Sequence, residues 1–249
     1  MKDGVCLNES EILRKAKPLT WLELIILFGV PTILNLLACR VVIPFLDSNK
    51  FFPIEISYFL SVGLLVLAPM FFGAICLTSK EINSSKLKDV LNRMRIISLS
   101  KIDIVWTVGG FVLLSLLSYL IADFVLPLLD VNANPFFFQN MPLDQNHLWI
   151  IYAWPLFFFF NILGEEFYWR GYVQPRQELL NEKFTWFIHG LFWACWHLPM
   201  GLNLIYSSVP IFFILPGIVQ IRKNTTISII IHFVFGAFGF LALALGLVN

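Results

Sequence analysis

Two adjacent carboxylates and an arginine stand inside one of the most apolar parts of the chain. The segment GEEFYWRGY, residues 164–172, directly follows the run LWIIYAWPLFFFFNIL. Two histidines, His197 and His232, lie in later apolar stretches of the same half. Ionisable side chains are costly at bilayer depth and therefore mark functional sites by default. Because carboxylates and imidazoles transfer protons and bind metals, this set predicts a catalytic site within the membrane.

The two acids are expected to have different roles. Glu166 and Arg170 are four residues apart, so on a helix they share a face and form a carboxylate–guanidinium pair that removes much of the desolvation cost. Glu165 is rotated about 100° from Glu166 and shares its face with Asn161 and Trp169, with no basic residue one turn away. We therefore predict a structural role for Glu166 and Arg170 and a role in proton transfer for Glu165.

The two histidines are predicted to reach the depth of Glu165. A charged turn near Asn181 joins two antiparallel helices, and Glu165 lies as many residues before Asn181 as His197 lies after it. His232 follows a second, tighter turn at Lys223 on the same side of the membrane. Equal rise per residue places all three side chains in one layer, roughly two to three turns below the surface. For either histidine alone, an interhelical hydrogen bond is the alternative role.

Membrane helices must position these residues. The chain has 249 residues, of which 58% are hydrophobic and only 13% charged, a composition outside the usual range of soluble domains. A hydrocarbon layer about 30 Å thick takes about 20 helical residues. We predict an all-α, polytopic membrane helix bundle with about seven transmembrane helices, forming a single membrane domain over residues 1–249. The predicted spans are residues 20–46, 54–77, 104–129, 148–172, 187–206, 209–221 and 226–248.

The basic residues predict the orientation of this integral, multi-pass bundle. Lys and Arg in short loops stay on the cytoplasmic side, and here they cluster before the first span and after the second, fourth and sixth. This pattern predicts a cytoplasmic N-terminus, a C-terminus outside, and a polar cluster near the cytoplasmic face. For the amphipathic loop of residues 82–99, a helix on the membrane surface and a solvated connector are both open.

The spacing of the polar residues resembles that of the CAAX protease and bacteriocin-processing (CPBP, or ABI) intramembrane proteases, which include the Ras-converting enzyme. The family pattern is EExxxR, then FxxxH, then HxxxN, on three membrane helices. In this chain Glu165, Glu166 and Arg170 match the first motif. His197 and His232 stand at the histidines of the second and third motifs.

Two positions depart from the family pattern within residues 148–248, the CPBP-like catalytic core that the resemblance covers. Trp193 replaces the Phe of the second motif, and Gly236 stands where the third motif has Asn. The family's Asn helps to stabilise the oxyanion, and loss of such a donor costs on the order of a hundredfold in turnover. Asn161, one turn before Glu165, is the expected substitute.

The resemblance implies a glutamic intramembrane endopeptidase that hydrolyses a peptide bond near the cytoplasmic face, in CAAX-type or leader-peptide processing. Glu165 would be the general base that activates water, His197 its partner and His232 an oxyanion donor. The implied partners are a peptide or prenylated-peptide substrate and membrane lipid, with no nucleic acid. No cofactor is expected. A zinc ion held by Glu165, His197 and His232 is the alternative, although the chain has no HExxH motif.

Two other functional classes are compatible with these residues. One is a non-catalytic membrane protein of the same fold, acting in bacteriocin self-immunity or as a scaffold, whose polar cluster stabilises helix packing. The other is a transporter that uses the acids as a proton relay, which the absence of a visible broken-helix repeat in the sequence disfavours. Peptide cleavage that is lost on Glu165→Gln distinguishes a protease from both.

Overall fold

The structure, a computed structural model, describes residues 17–131, 135–138 and 140–247, and this part of the chain is helical with no strand. The prediction of an all-α membrane bundle is therefore confirmed. The principal helices are α1 (Trp21–Ser48), α2 (Ile54–Ile82), α3 (Leu87–Arg93), α4 (Lys101–Leu128), α5 (residues 150–181), α6 (Thr185–His197), α7 (Leu202–Arg222) and α8 (Thr225–Ala244).

Six stretches of the described residues are long and apolar enough to cross a membrane. The fourth, Ile150–Met200, has 51 residues and reverses direction at the short 3-10 turn Glu182–Phe184. It therefore contains two antiparallel helices, α5 and α6, and the six candidates correspond to the seven predicted spans. Large apolar side chains such as Leu22 and Val105 are two-thirds exposed, as expected for surfaces that face lipid.

The predicted boundary between the fifth and sixth spans is wrong. The sequence placed it near Ser207, whereas in the structure α6 ends at His197 and the 3-10 turn Leu198–Met200 follows. Gly201, with a φ of 115°, then begins the reversal into α7. Side chains with a Cβ rarely adopt this φ, so glycine is the residue that permits the turn here.

Two prolines, Pro210 and Pro216, lie inside α7, which is longer than the predicted span of residues 209–221. Membrane helices tolerate proline because neighbouring helices and polar side chains satisfy the freed backbone groups. With 21 residues, α7 is about 31 Å long and matches a hydrocarbon layer of about 30 Å. The last predicted span also ends earlier, at Ala244, while Val248 lies outside the described residues.

Charged residues from several helix ends meet at one end of the bundle. The guanidinium of Arg95 donates to both oxygens of Glu178 at 2.9 and 2.8 Å, and the ammonium of Lys223 contacts the same carboxylate. Nearby, Arg222 Nε donates to Asp103 Oδ1 at 2.8 Å. These residues come from the loops and helix ends that the basic-residue pattern assigned to one side. The structure therefore groups them as expected, while the membrane face involved stays a prediction.

The loop of residues 82–99 contains α3 and packs against the bundle, while its position relative to the membrane surface stays a prediction. Arg93, at the end of α3, is fully buried and donates through Nε and Nη2 to Glu81 at 3.0 and 2.8 Å. The backbone N–H of Thr225, at the start of α8, donates to the carbonyl of Arg95 at 2.8 Å. Buried ion pairing and backbone bonds thus hold the loop beneath α8.

A reporter fused after Val248 is expected outside the cytoplasm, because seven crossings from a cytoplasmic N-terminus end on the opposite side. The measurement uses paired fusions, an alkaline phosphatase that is active outside and a fluorescent protein that folds inside. Truncated fusions after Ser85 serve as the control and should give the opposite readout. A cytoplasmic signal at Val248 would mean that the number of crossings is even.

Candidate active site

The two acids stand at a change of helix type within α5. Residues Ile150–Glu165 are α-helical, whereas Glu166–Val173 form a π-helix, in which backbone hydrogen bonds join residues five apart. All side chains of this π-helix are buried. Short π segments within α-helices occur frequently at functional sites. The prediction from the sequence is an uninterrupted α-helix, so the π-helix makes the residues facing across the α5–α6 hairpin differ from those predicted.

Two glycines allow close helix contacts around this segment. A Cβ on Gly164 would lie 2.6 Å from the carbonyl oxygen of Leu67, so glycine lets α5 approach α2. A Cβ on Gly190 would lie 2.5 Å from the carbonyl oxygen of Phe212, so glycine lets α6 approach α7. A side chain at either position would push apart helices that carry the polar residues.

Glu165 is buried, and a neutral donor binds each of its carboxylate oxygens. Asn161 Nδ2 donates to Oε1 at 3.0 Å, and Trp193 Nε1 donates to Oε2 at 2.8 Å. Asn161 is the neighbour expected from the sequence, whereas Trp193 reaches the acid from α6. Trp169, the other expected neighbour, instead stacks on Phe28 with ring centroids 4.4 Å apart. Each carboxylate oxygen of Glu165 has a further lone pair that can accept a proton.

Glu166 has more partners than the sequence indicated. Its Oε1 lies 3.4 Å from Arg170 Nη1, so the predicted ion pair is present, with both side chains fully buried. The same oxygen is 2.8 Å from His232 Nδ1, and Oε2 accepts from Ser228 Oγ at 2.6 Å. His232 thus binds the second acid rather than lying beside the first as predicted, and Ser228 is a partner that the sequence did not indicate. Their four-residue spacing on α8 is a signal that would have identified them as one face.

The guanidinium of Arg170 lies between a carboxylate and an aromatic face. Its Cζ is 3.5 Å from the centroid of the Trp193 ring, the geometry of a cation–π contact. Its three nitrogens have no hydrogen-bond partner among the described side and main chains, so the contact with Glu166 is ionic rather than a formed hydrogen bond. Arg170 therefore compensates the buried charge of Glu166 and packs on the indole.

Both histidines use Nδ1 to bind protein acceptors. His197 Nδ1 lies 2.9 Å from the backbone carbonyl oxygen of Trp193, which can only accept, so this nitrogen carries the proton. His232 Nδ1 faces the carboxylate of Glu166 at 2.8 Å and is the donor for the same reason. In each ring, Nε2 is therefore the atom that can act on water or on a substrate.

The structure groups the three predicted catalytic side chains around one indole. Trp193 binds Glu165 and has ring centroids 5.5 Å from His197 and 5.8 Å from His232. The predicted register is shifted, because Glu165 lies opposite Trp193 rather than opposite His197, one turn further along α6. A π-helix has more residues per turn than an α-helix, so the residues between Glu165 and the Glu182–Phe184 turn cover less axial distance.

Residues 147–238 match the protein family described as type II CAAX prenyl endopeptidase, Rce1-like. The matched segment contains the whole polar cluster, from Asn161 to His232. This domain belongs to the CAAX protease family. The resemblance stated from the motifs is thus confirmed, and the family supports a CAAX-type intramembrane endopeptidase in general. No curated protein and no solved structure matches the chain.

In the CAAX protease domain, the alternative zinc ligands Glu165, His197 and His232 are not arranged as a metal site. Among the described residues, no group of three or more His, Cys, Asp or Glu side chains is arranged to hold a metal ion. The oxygens of Glu165 already accept from Asn161 and Trp193, and His232 binds the neighbouring acid instead. A reaction without a metal ion stays a prediction.

Gly236 is the point at which the CAAX protease domain departs most from its family pattern. A Cβ at this position would lie 3.1 Å from Cε2 and 3.3 Å from Cζ of Phe158. The Phe158 ring therefore occupies the space toward which an Asn at position 236 would extend. Asn161 remains the candidate substitute donor, since its amide has two N–H groups and the bond to Glu165 uses one.

Proposed function

We propose that the chain is an intramembrane endopeptidase that hydrolyses a peptide bond of a prenylated peptide near the cytoplasmic face of the membrane. The observation that carries the proposal is the environment of Glu165. This buried carboxylate accepts hydrogen bonds from donors on two helices, and both histidine rings pack against one of those donors, Trp193. The family match supports the reaction class and the prenylated substrate.

In the proposed reaction, Glu165 is the general base. A water between Glu165 and His197 gives a proton to the carboxylate while its oxygen attacks the peptide carbonyl carbon. The neutral His197 ring accepts a hydrogen bond from this water at Nε2, since its Nδ1 proton is held by the carbonyl of Trp193. The carboxylic acid then returns the proton to the leaving nitrogen as the C–N bond breaks, so one water is consumed per bond.

His232 is the proposed oxyanion donor. Because Nδ1–H binds Glu166, donation from Nε2 requires both ring nitrogens to carry protons. A cationic His232 together with Arg170 would balance the two carboxylates, Glu165 and Glu166, and leave the buried cluster neutral. Neutrality of this kind lowers the cost of keeping charges in a low-dielectric interior. In this arrangement Glu166 and Arg170 support His232 rather than touch the reacting atoms.

Replacing Asn161 with Ala is expected to lower kcat/KM for peptide cleavage by about ten- to a hundredfold, because it removes a donor to Glu165 and the proposed second oxyanion donor. The side chain is only partly buried, so folded yield should stay normal. The comparison uses initial cleavage rates together with the thermal midpoint in detergent. Asn49→Ala, at an exposed helix end, is the matched control. Unchanged cleavage in Asn161→Ala would contradict both roles.

The proposed function is tested with purified protein in lipid nanodiscs and three peptides. One ends in Cys-aliphatic-aliphatic-X with an isoprenyl thioether, the second is the same peptide without the isoprenyl group, and the third is a leader-type peptide. We expect cleavage of the prenylated peptide alone. Cleavage of only the leader-type peptide would keep the reaction and reject the substrate class. Folded protein that cleaves none of them would favour a non-catalytic role, the candidate that Gly236 supports.

A further inference from the structure

Trp193 contacts four members of the polar cluster at once. Its side chain is 1% exposed, and its indole N–H donates to Glu165 Oε2 at 2.8 Å. Its ring lies under the guanidinium of Arg170 at 3.5 Å and edge-on to His232 at 5.8 Å. Its backbone carbonyl accepts from His197 Nδ1 at 2.9 Å. One residue therefore links the proposed base, its partner histidine and the supporting arginine.

At this position an indole differs from a phenyl ring mainly in its ability to donate a hydrogen bond. The family pattern has Phe here, and a phenyl ring can pack against both histidines and lie beneath Arg170. It cannot donate a hydrogen bond to a carboxylate, whereas the indole nitrogen is a donor only. The bond to Glu165 is therefore what Trp193 adds to this chain, and bonds to ionised groups are the stronger class.

We propose that Trp193 is a positioning residue that sets the orientation of the Glu165 carboxylate. The terminal torsion of a Glu side chain has a broad energy well, so a single donor leaves the carboxylate plane loosely defined. Donors on both oxygens, Asn161 from α5 and Trp193 from α6, fix that plane. The remaining lone pairs then face the water that His197 is proposed to orient.

The same residue also fixes the proton of the partner histidine. The carbonyl of Trp193 holds Nδ1–H of His197, which leaves Nε2 as the atom facing the water. Because the indole and the carbonyl belong to one residue of α6, Glu165 and His197 are aligned to each other across the α5–α6 hairpin. This inference rests on the proposed peptidase function and extends it to the geometry of the base.

Trp193→Phe tests the inference by restoring the family's residue and removing only the donor. We expect kcat to fall about ten- to a hundredfold, with KM changed less than about threefold, since orientation of the base affects the reaction rather than binding. A donor to a carboxylate favours its charged form, so the acid limb of the kcat/KM profile should move to higher pH. The charged or titratable groups around Glu165 are Glu166, Arg170, His197 and His232, together with Tyr58 from α2.

A second variant separates the lost bond from altered packing. Benzothienylalanine at position 193, introduced by codon suppression, keeps the size of the indole and replaces its N–H with sulfur. The control is Trp196→Phe, because Trp196 is fully buried on the same helix with its ring 4.6 Å from that of His197. Its indole N–H has no hydrogen-bond partner among the described residues. We expect the benzothienyl protein to lose kcat with normal yield, and the control to keep the wild-type kcat and pH profile.

The outcomes distinguish this inference from the proposed function. Wild-type kcat and an unmoved pH profile in the benzothienyl protein would overturn the positioning role, even if Trp193→Phe folds poorly. A parallel loss in Trp196→Phe would also overturn it, since packing alone would then explain the effect. Failure of the wild-type protein to cleave any peptide would reject the proposed function itself, and the role of Trp193 with it.

Discussion

Glu165→Gln is expected to abolish peptide cleavage while the protein stays folded. The amide keeps the shape of the side chain but cannot accept a proton from water, and general base catalysis contributes about a hundred- to ten-thousandfold. Initial rates on the prenylated peptide, normalised to folded protein, measure the effect. Glu23→Gln at the exposed start of α1 is the matched control and should cleave normally. Retained cleavage in Glu165→Gln would assign the base to another residue.

The contacts of Glu165 explain why the fold should tolerate glutamine at this position. Both carboxylate oxygens accept from donors, Asn161 on one side and Trp193 on the other. A Gln can turn its carbonyl oxygen to the indole N–H and its amino group to Asn161. The Asn161 amide can rotate to present its own oxygen, so both bonds persist and no buried polar group is left unpaired. Loss of activity in this variant therefore reports on chemistry rather than on folding.

Arg170→Ala is expected to lower both folded yield and activity. The substitution leaves Glu166 as a buried carboxylate without its guanidinium partner, a change that costs about 3–5 kcal/mol in comparable buried pairs. It also removes the group that packs on the Trp193 ring. The measurements are the monodisperse fraction in detergent and the thermal midpoint. Normal yield and stability with activity alone abolished would contradict the structural role.

A double variant tests the reason for this loss. In Arg170→Ala with Glu166→Gln, the stranded charge is removed, so yield and thermal midpoint should recover part of the way toward wild type. Activity should stay low, because His232 would lose its carboxylate partner. Arg40→Ala is the single-arginine control, since this exposed residue packs against the ring of Phe136 and lies outside the polar cluster.

The helix bundle was predictable because it depends on composition and local spacing. Long apolar runs determine which segments can cross a membrane, and the basic residues that cluster in every second loop indicated which helix ends lie together. The pairing of Glu166 with Arg170 was predictable for the same reason, since four-residue spacing on a helix brings side chains together.

Contacts between distant helices were not predictable in the same way. The bond from Trp193 to Glu165 joins residues 28 apart, and that from His232 to Glu166 joins residues 66 apart. Both depend on the axial register of neighbouring helices, which the π-helix shifts and which a hydrophobic pattern does not encode. The reversal at Gly201 carried a usable signal, since a Pro and a Gly stand close together in HLPMG.

The proposed reaction is hydrolysis of an internal peptide bond with Glu165 as the base. Mass spectrometry of the prenylated peptide, incubated in nanodiscs and ¹⁸O-labelled water with wild-type or Glu165→Gln protein, tests it most directly. The wild-type protein is expected to give two fragments, with one ¹⁸O in the new carboxylate, and the variant to leave the peptide intact. Equal fragmentation by both proteins, or intact peptide with both, would contradict it.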